Sequence, residues 1–240
     1  MEKPKQPTKS AVLPPNQEST TPLEPHGQPP RQAYQVVVTG VPPIMKLKTL
    51  LTLEGLDEEV GIAYSAITRK QSVTLFGAPG RGKTHMAIGL MQEWVKHKTW
   101  ERPMNGLQGH KATFLPAPEF FFEIKQTYNS ATGKDEETVM ASYSWVDLLV
   151  IDDLGAEKVT DWSRQLLYLL IDRRYRNGRQ TIITTNLTPS QLAETIDARI
   201  VSRLAEMGVV IELKGSDKRL SVTSEVTHTA ALSTGGQVKP

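Results

Sequence analysis

Eight consecutive residues, Gly77-Ala78-Pro79-Gly80-Arg81-Gly82-Lys83-Thr84, constrain this chain more than any other stretch. They fit the pattern G-x-x-x-x-G-K-[ST]. Gly77, Gly80 and Gly82 let the backbone turn tightly and aim its N–H groups inward. The apolar run Val73-Thr74-Leu75-Phe76 leads into the loop, and Met86, Ala87, Leu90 and Met91, spaced for one helix face, lead out of it. A loop between a buried strand and a helix start offers amide donors, backed by the helix N-terminus, to phosphate oxygens. Lys83 has the reach for β- and γ-phosphates, and the Thr84 hydroxyl can hold Mg²⁺. Residues Gly77 to His85 are therefore the candidate nucleotide-binding segment.

A second stretch, Trp145-Val146-Asp147-Leu148-Leu149-Val150-Ile151-Asp152-Asp153-Leu154-Gly155, reads as a strand buried on both faces. Two carboxylates at the end of such a strand are costly unless a cation stands nearby. ATP with Mg²⁺ beside the phosphate loop answers that cost: Asp152 would support the metal shell and Asp153 would polarise an attacking water. The bland alternative is a solvated strand end with two surface acids. Thr181-Ile182-Ile183-Thr184-Thr185-Asn186 is a further buried strand. Asn186 at its tip can orient the same water, or serve only as a turn residue before Leu187-Thr188-Pro189. With Ala112–Leu115 and Val209–Leu213, these stretches predict an α/β fold in which a parallel five-stranded sheet is sandwiched between helices.

The helical segments carry the remaining candidates. A helix over Glu58–Arg69 has Val60, Ala63, Tyr64 and Ile67 on one face. Pro116 and Pro118 open another, near Glu119–Asn129, with three consecutive phenylalanines. Phe120 and Ile124 share an apolar face, whereas Phe121, Lys125 and Tyr128 share a second one. An aromatic–basic–aromatic face can stack on and neutralise single-stranded nucleic acid, or its ring can pack beneath residues 130–144. Ser163–Asn177 places Leu166, Leu167, Leu169, Leu170 and Ile171 inward. It ends in Arg173, Arg174 and Arg176, where cations complement the helix dipole. After a short helix, Pro189–Thr195, Arg199 and Arg203 share a face of Asp197–Glu206. They are surface charge, or they reach a phosphate on a neighbouring subunit.

Composition sets outer limits. The net charge of +2 and pI near 8.7 permit nucleic-acid contact without arguing for it. The absence of cysteine excludes disulfides and thiolate-bound zinc and suits a cytoplasmic protein. No apolar run approaches a membrane span, so no membrane association is expected. Residues 1–33 hold eight of the sixteen prolines and read as a disordered tail, a plain linker or a docking arm. Residues 34–220 then form the folded domain, and 221–240 a second disordered tail.

The order of phosphate loop, acidic strand, Asn-tipped strand and Arg-bearing helix resembles the AAA+ ATPases. The wording of Gly77–Thr84, Asp152-Asp153-Leu154-Gly155-Ala156-Glu157, Arg174-Tyr175, Thr184-Thr185-Asn186-Leu187, Ser202-Arg203-Leu204 and Gly215-Ser216-Asp217-Lys218-Arg219 is similar to that of DnaC-type helicase loaders and IstB-type transposition helper ATPases. The resemblance spans roughly residues 70–220. It implies that Lys83 and Thr84 bind phosphates and Mg²⁺, Asp152 and Asp153 are the paired acids, Asn186 is the first sensor and Arg203 is an arginine finger. It places Phe121, Lys125 and Tyr128 in the region where such loaders contact single-stranded DNA. ATP hydrolysis, homo-oligomer formation with ATP bound, and a replicative helicase or transposase as partner follow from the same likeness. A nucleotide-gated DNA-binding adaptor with negligible turnover is the reading from another class. Three features depart from the pattern. Asp153 stands where many AAA+ proteins carry Glu, which suits slow or partner-stimulated hydrolysis. Only 27 residues follow Leu213, too few for a helical lid. A Pro-rich tail occupies the place of the loaders' helicase-binding domain.

Overall fold

The structure, a computed structural model, describes residues 35–46, 48–99, 109–128, 135–156 and 159–215. The two tails expected over 1–33 and 221–240 lie outside those residues, as do Asn129, Glu157, Ser216–Arg219 and most of the connection after Lys98.

The strands are β1 (Gln35–Thr39), β2 (Ser72–Phe76), β3 (Gly109–Pro116), β4 (Leu148–Leu154), β5 (Gln180–Thr185) and β6 (Gly208–Glu212). They form one sheet in the order β1-β3-β4-β5-β2-β6, with every neighbouring pair parallel. The five expected strands are all present, and β1 adds a sixth at the edge beside β3. Its side chains are mostly exposed, so it joins the sheet by backbone pairing rather than by filling the core.

The helices are α1 (Asp57–Thr68), α2 (Lys83–Lys98), α3 (Ala117–Thr127), α4 (Glu136–Ser144), α5 (Asp161–Arg176), α6 (Pro189–Leu192) and α7 (Ala198–Met207), the last two joined by a π-turn at Ala193–Asp197. Side chains of a strand alternate between the two faces of its sheet, and here each set meets a different helical layer. Leu149, Ile151 and Ile183 pack with α3, α4, α5 and α7. Leu148, Val150 and Ile182 pack with α1 and α2. That is why β4 reads as an unbroken apolar run: both of its faces are covered. On α1, Ala63 and Ile67 are buried as expected, whereas Tyr64 lies at the surface and bonds His97.

Arg174 has a role that its position in the last turn of α5 does not suggest. Instead of facing solvent, it is fully buried. Its Nη1 donates to the carbonyls of Tyr143 (2.7 Å), Val146 (3.0 Å) and Ser144 (3.4 Å), its Nε to Thr181 Oγ1 (2.9 Å), and its Nη2 to the Gln180 carbonyl. A helix leaves its last carbonyls without intrahelical donors, and Arg174 supplies donors to the end of α4 while anchoring the start of β5. Burial pushes the guanidinium down to about 9, so it stays cationic at neutral pH and depends on those oxygens. Arg174→Met keeps the apolar stem but strands the acceptors. It should cost about 3 kcal/mol or more in urea unfolding. Arg174→Lys should not recover that loss, because an ammonium cannot span the same fork of acceptors. Unfolding midpoints equal to wild type would remove Arg174 from the framework.

Candidate nucleotide site

The carboxyl ends of β2, β4 and β5 converge, and the sheet order decides how. β5 lies between β2, which feeds the phosphate loop, and β4, which carries the acids. The tip of β5 therefore stands between loop and carboxylates.

The loop bends where the sequence places its glycines. Gly77 has φ 144°, and a Cβ there would lie 2.6 Å from the Leu213 carbonyl oxygen. Gly82 has φ 88° and caps α2 without any side-chain hydrogen bond, which leaves the first amides of that helix open to an anion. Lys83 follows as the first residue of α2. Its ammonium donates to the carbonyls of Gly77 (2.8 Å) and Ala78 (2.9 Å) and to Asn186 Oδ1 (2.7 Å). Three donors thus point into the mouth of the loop, where phosphate oxygens would compete for them.

Thr84 Oγ1 donates to Asp152, at 2.9 Å from Oδ1 and 3.2 Å from Oδ2. A hydroxyl and a carboxylate held together are hard oxygen ligands of the kind Mg²⁺ prefers. Burial raises the Asp152 pKa, opposed by hydrogen bonds from Thr184 and Thr84 and by the charge of Lys83. A cation at this position would relieve that burial cost. The residues present thus fit both ATP and Mg²⁺: the loop has open amides and a lysine, and the acid beside it is short of positive charge.

Asp153 points the other way. Its φ of 58° lies in the left-handed region, and the β4–β5 register shifts between Ile151 and Leu154. A non-glycine residue held there costs about 1–3 kcal/mol and needs surrounding support. Thr184 Oγ1 accepts the Asp153 N–H at 2.8 Å, and Asn186 Nδ2 donates to Asp153 Oδ1 at 2.8 Å. Asn186 therefore joins Lys83 to Asp153 through the two ends of one amide. Neither the bulge nor Thr184 was legible in the sequence. The signal available was the pair Thr184-Thr185 between the apolar Ile182-Ile183 and Asn186, which does not say which hydroxyl meets the acids.

His85, placed in the nucleotide segment by the sequence, turns toward the preceding chain. Its Nε2 lies 2.9 Å from the Thr49 carbonyl and 2.7 Å from Thr52 Oγ1, tying α2 to the turn at Leu50–Thr52. Ala78, Pro79, Gly80 and Arg81 complete the loop. Arg203 is held against α5: it lies 2.6 Å from Asp172, donates to Tyr168 Oη at 3.0 Å and rests over the Tyr168 ring. Arg199 pairs with Asp197 at 2.7 Å and also lies over the Tyr168 ring, 4.2 Å from its centroid, with 65% of its side chain exposed.

The face assigned to Phe121, Lys125 and Tyr128 divides. Phe121 is only 7% exposed and packs on Phe120 and Trp162, so its ring belongs to the core and cannot stack on a base. Lys125 and Tyr128 are exposed, and both meet Trp162 of α5, with Lys125 Nζ 5.4 Å from its ring centroid. Trp162 Nε1 donates to Tyr128 Oη, which in turn donates to Glu136. Phe122, one position on from Phe121, is 62% exposed. Its i,i+3 spacing to Lys125 puts the two side by side on the outer face of α3.

A parallel sheet between helical layers, with a phosphate loop, a paired-acid strand and an Asn-tipped strand at its carboxyl edge, defines an ATP-binding domain of the P-loop AAA+ class. Solved proteins of that class share the fold. The crystal structure of DnaI aligns with 76% of this chain and 96% of its own, at 20% identity and a TM-score of 0.60. Domain III of the Thermotoga maritima replication initiation protein DnaA aligns over 84% and 79%, at 21% identity and a TM-score of 0.58. Within the class, residues 61–226 match the family of IstB-like ATP binding proteins, and the chain belongs to that family. Curated relatives include the replicative helicase loader DnaC of Escherichia coli K12, 26% identical over 53% of this chain and 47% of the relative. Another is an ATP-binding protein of insertion sequence IS5376 from Geobacillus stearothermophilus, 26% identical over 66% and 59%. The chain spans about half the length of these relatives.

Asp152→Asn tests the electrostatics of the site without nucleotide. The substitution removes a buried charge, so the melting temperature should rise by about 2–4 °C at pH 8. Because the folded-state pKa is raised, the gain is full above that pKa. It fades as pH falls toward the unfolded carboxylate value near 3.9, where Asp152 is neutral in either state. A lower melting temperature at every pH would show that the carboxylate stabilises the empty site.

Proposed function

We propose that this protein binds and hydrolyses ATP and uses the cycle to act on DNA, most specifically as a DnaC-like loader that delivers a replicative helicase to single-stranded DNA. The observation that carries the hydrolytic reading is the chain Lys83–Asn186–Asp153 beside the Thr84–Asp152 pair. Lys83 would exchange its loop carbonyls for β- and γ-phosphate oxygens. Thr84 and Asp152 would hold Mg²⁺, which neutralises charge developing on the phosphates. Asp153, exposed and free to meet solvent, would orient the attacking water and draw off its proton, with Asn186 fixing the carboxylate. Aspartate is a methylene shorter than glutamate, which favours slow turnover until a partner adjusts the site.

The same reading makes Arg203 a finger offered to a neighbouring copy, released from Asp172 and Tyr168 as the copies assemble. Lys83→Ala should abolish ATP binding, while Arg203→Ala should keep binding and lose tenfold or more in turnover. Mixing the two should restore part of the rate, because a mixed interface can pair an intact loop with an intact finger. No restoration at any ratio would argue against action in trans.

Support for the DNA reading comes from the outer face of α3, where Phe122 now takes the place assigned to Phe121. Phe122, Lys125, Tyr128 and Trp162 offer rings and a cation on one surface, as single-strand binders do. Alanine at Phe122, Lys125 and Tyr128 together should weaken single-stranded DNA binding about tenfold or more and flatten its salt dependence. Phe121→Ala should instead lower stability. Unchanged DNA affinity in the triple variant would move the contact elsewhere. The family match and the IS5376 relative favour a second reading, a transposition helper that delivers a transposase. Affinity capture from the native host with ATP separates the two by whether helicase or transposase is retained. A cytoplasmic, ATP-dependent homo-oligomer accords with either. Among the described residues no helix is long and apolar enough to cross a membrane.

A further inference from the structure

Three threonines of β5 are buried to the same degree and use their hydroxyls differently. Thr181 Oγ1 accepts from Arg174 Nε at 2.9 Å and thereby anchors the start of the strand. Thr185 Oγ1 donates to the Leu154 carbonyl at 2.7 Å and accepts the Leu187 N–H at 3.1 Å, a tie between backbone segments. Thr184 alone of the three engages the acids. Its hydroxyl proton goes to Asp152 Oδ1 at 2.6 Å, and its oxygen accepts the Asp153 N–H at 2.8 Å.

We propose that Thr184 is a positioning residue for ATP hydrolysis, whose single hydroxyl fixes the metal-side acid Asp152 and the water-side acid Asp153 relative to each other. The inference rests on the hydrolytic reading above. Asp152 is gripped from two sides, by Thr84 of α2 and by Thr184 of β5, so its carboxylate plane cannot turn freely. Asp153 sits in a left-handed conformation that an unsupported aspartate leaves, and the bond to Thr184 is its backbone support. One atom thus sets both the orientation of a metal ligand and the direction in which the neighbouring carboxylate projects. Sheet order makes this possible, because β5 is the strand between the loop and the acids. Positioning of this kind acts on the reaction and the metal while leaving phosphate binding to the loop amides and Lys83.

The test uses the full chain and the near-isosteric Thr184→Val. ATP affinity without divalent metal, read with a fluorescent ATP analogue, should stay within about twofold, since the loop is untouched. Turnover should fall about tenfold or more, the equivalent of losing one hydrogen bond to a charged group. The Mn²⁺ affinity of the ADP-bound protein, read by electron paramagnetic resonance, should fall severalfold. Thr184→Ser, which retains the hydroxyl, should recover most of both. Thr181→Val, equally buried on the same strand, should lower the melting temperature yet keep turnover and Mn²⁺ affinity per folded molecule. If Thr184→Val does not fold, Thr184→Ala carries the same comparison. Wild-type turnover and Mn²⁺ affinity in the valine variant would overturn the assignment, as would a serine variant impaired as much as the valine. A wild-type protein that never turns ATP over would overturn the hydrolytic reading instead, and the Mn²⁺ series would still decide the role of Thr184.

Discussion

Two adjacent carboxylates at the end of a strand buried on both faces create the constraint around which the rest of this molecule is arranged. Neither can be left alone in such a place, and the structure treats them oppositely. Asp152 is drawn inward and held by two threonine hydroxyls, with burial raising its pKa. Asp153 is turned out through a bulge and a left-handed backbone and is held by Asn186 and by the hydroxyl of Thr184. Identical side chains one residue apart therefore acquire different chemistry from their surroundings alone, one suited to a metal and one to water.

That division depends on strand order more than on any local preference. With β5 between β2 and β4, a residue two places before the strand tip reaches both acids, and the tip itself reaches the loop lysine. The order is in turn maintained far from the site. Arg174 gathers the end of α4 and the start of β5 around one buried guanidinium, which fixes where β5 enters the sheet. Its guanidinium donates to backbone carbonyls and the Thr181 hydroxyl, and those dipoles make the charge tolerable there.

The comparison of sequence and structure turns on which signals are local. The phosphate loop, the strands β2 to β6 and the order of helices follow from runs of residue types and from glycine spacing, and they stand where expected. Phe121 and Arg174 do not. Both lie on faces that helical periodicity marks as outward or as dipole-complementing, and both are buried by elements distant in sequence: Trp162 in one case, the end of α4 in the other. Phe122, the least suited of its triplet to the inner stripe, is the ring that reaches solvent. The edge strand β1 carries three consecutive valines, Val36 to Val38, yet most of its side chains are exposed, so its apolar run does not mark a core strand and its place beside β3 follows from backbone pairing.

The sequence by itself determined the chemistry available to this protein. A glycine-spaced loop with Lys83 and Thr84, two acids after an apolar strand and an Asn at a strand tip are covalent facts, and together they allow little but a nucleotide site. Tertiary structure alone decided how those groups divide their work: which acid faces inward, which hydroxyl spans the pair, which phenyl is exposed and where Arg203 rests. The physical reason is one of range. Turn geometry and hydrophobic period act over a few residues and are written in the chain. Burial, hydrogen-bond partners and pKa depend on neighbours that only the packed sheet brings together.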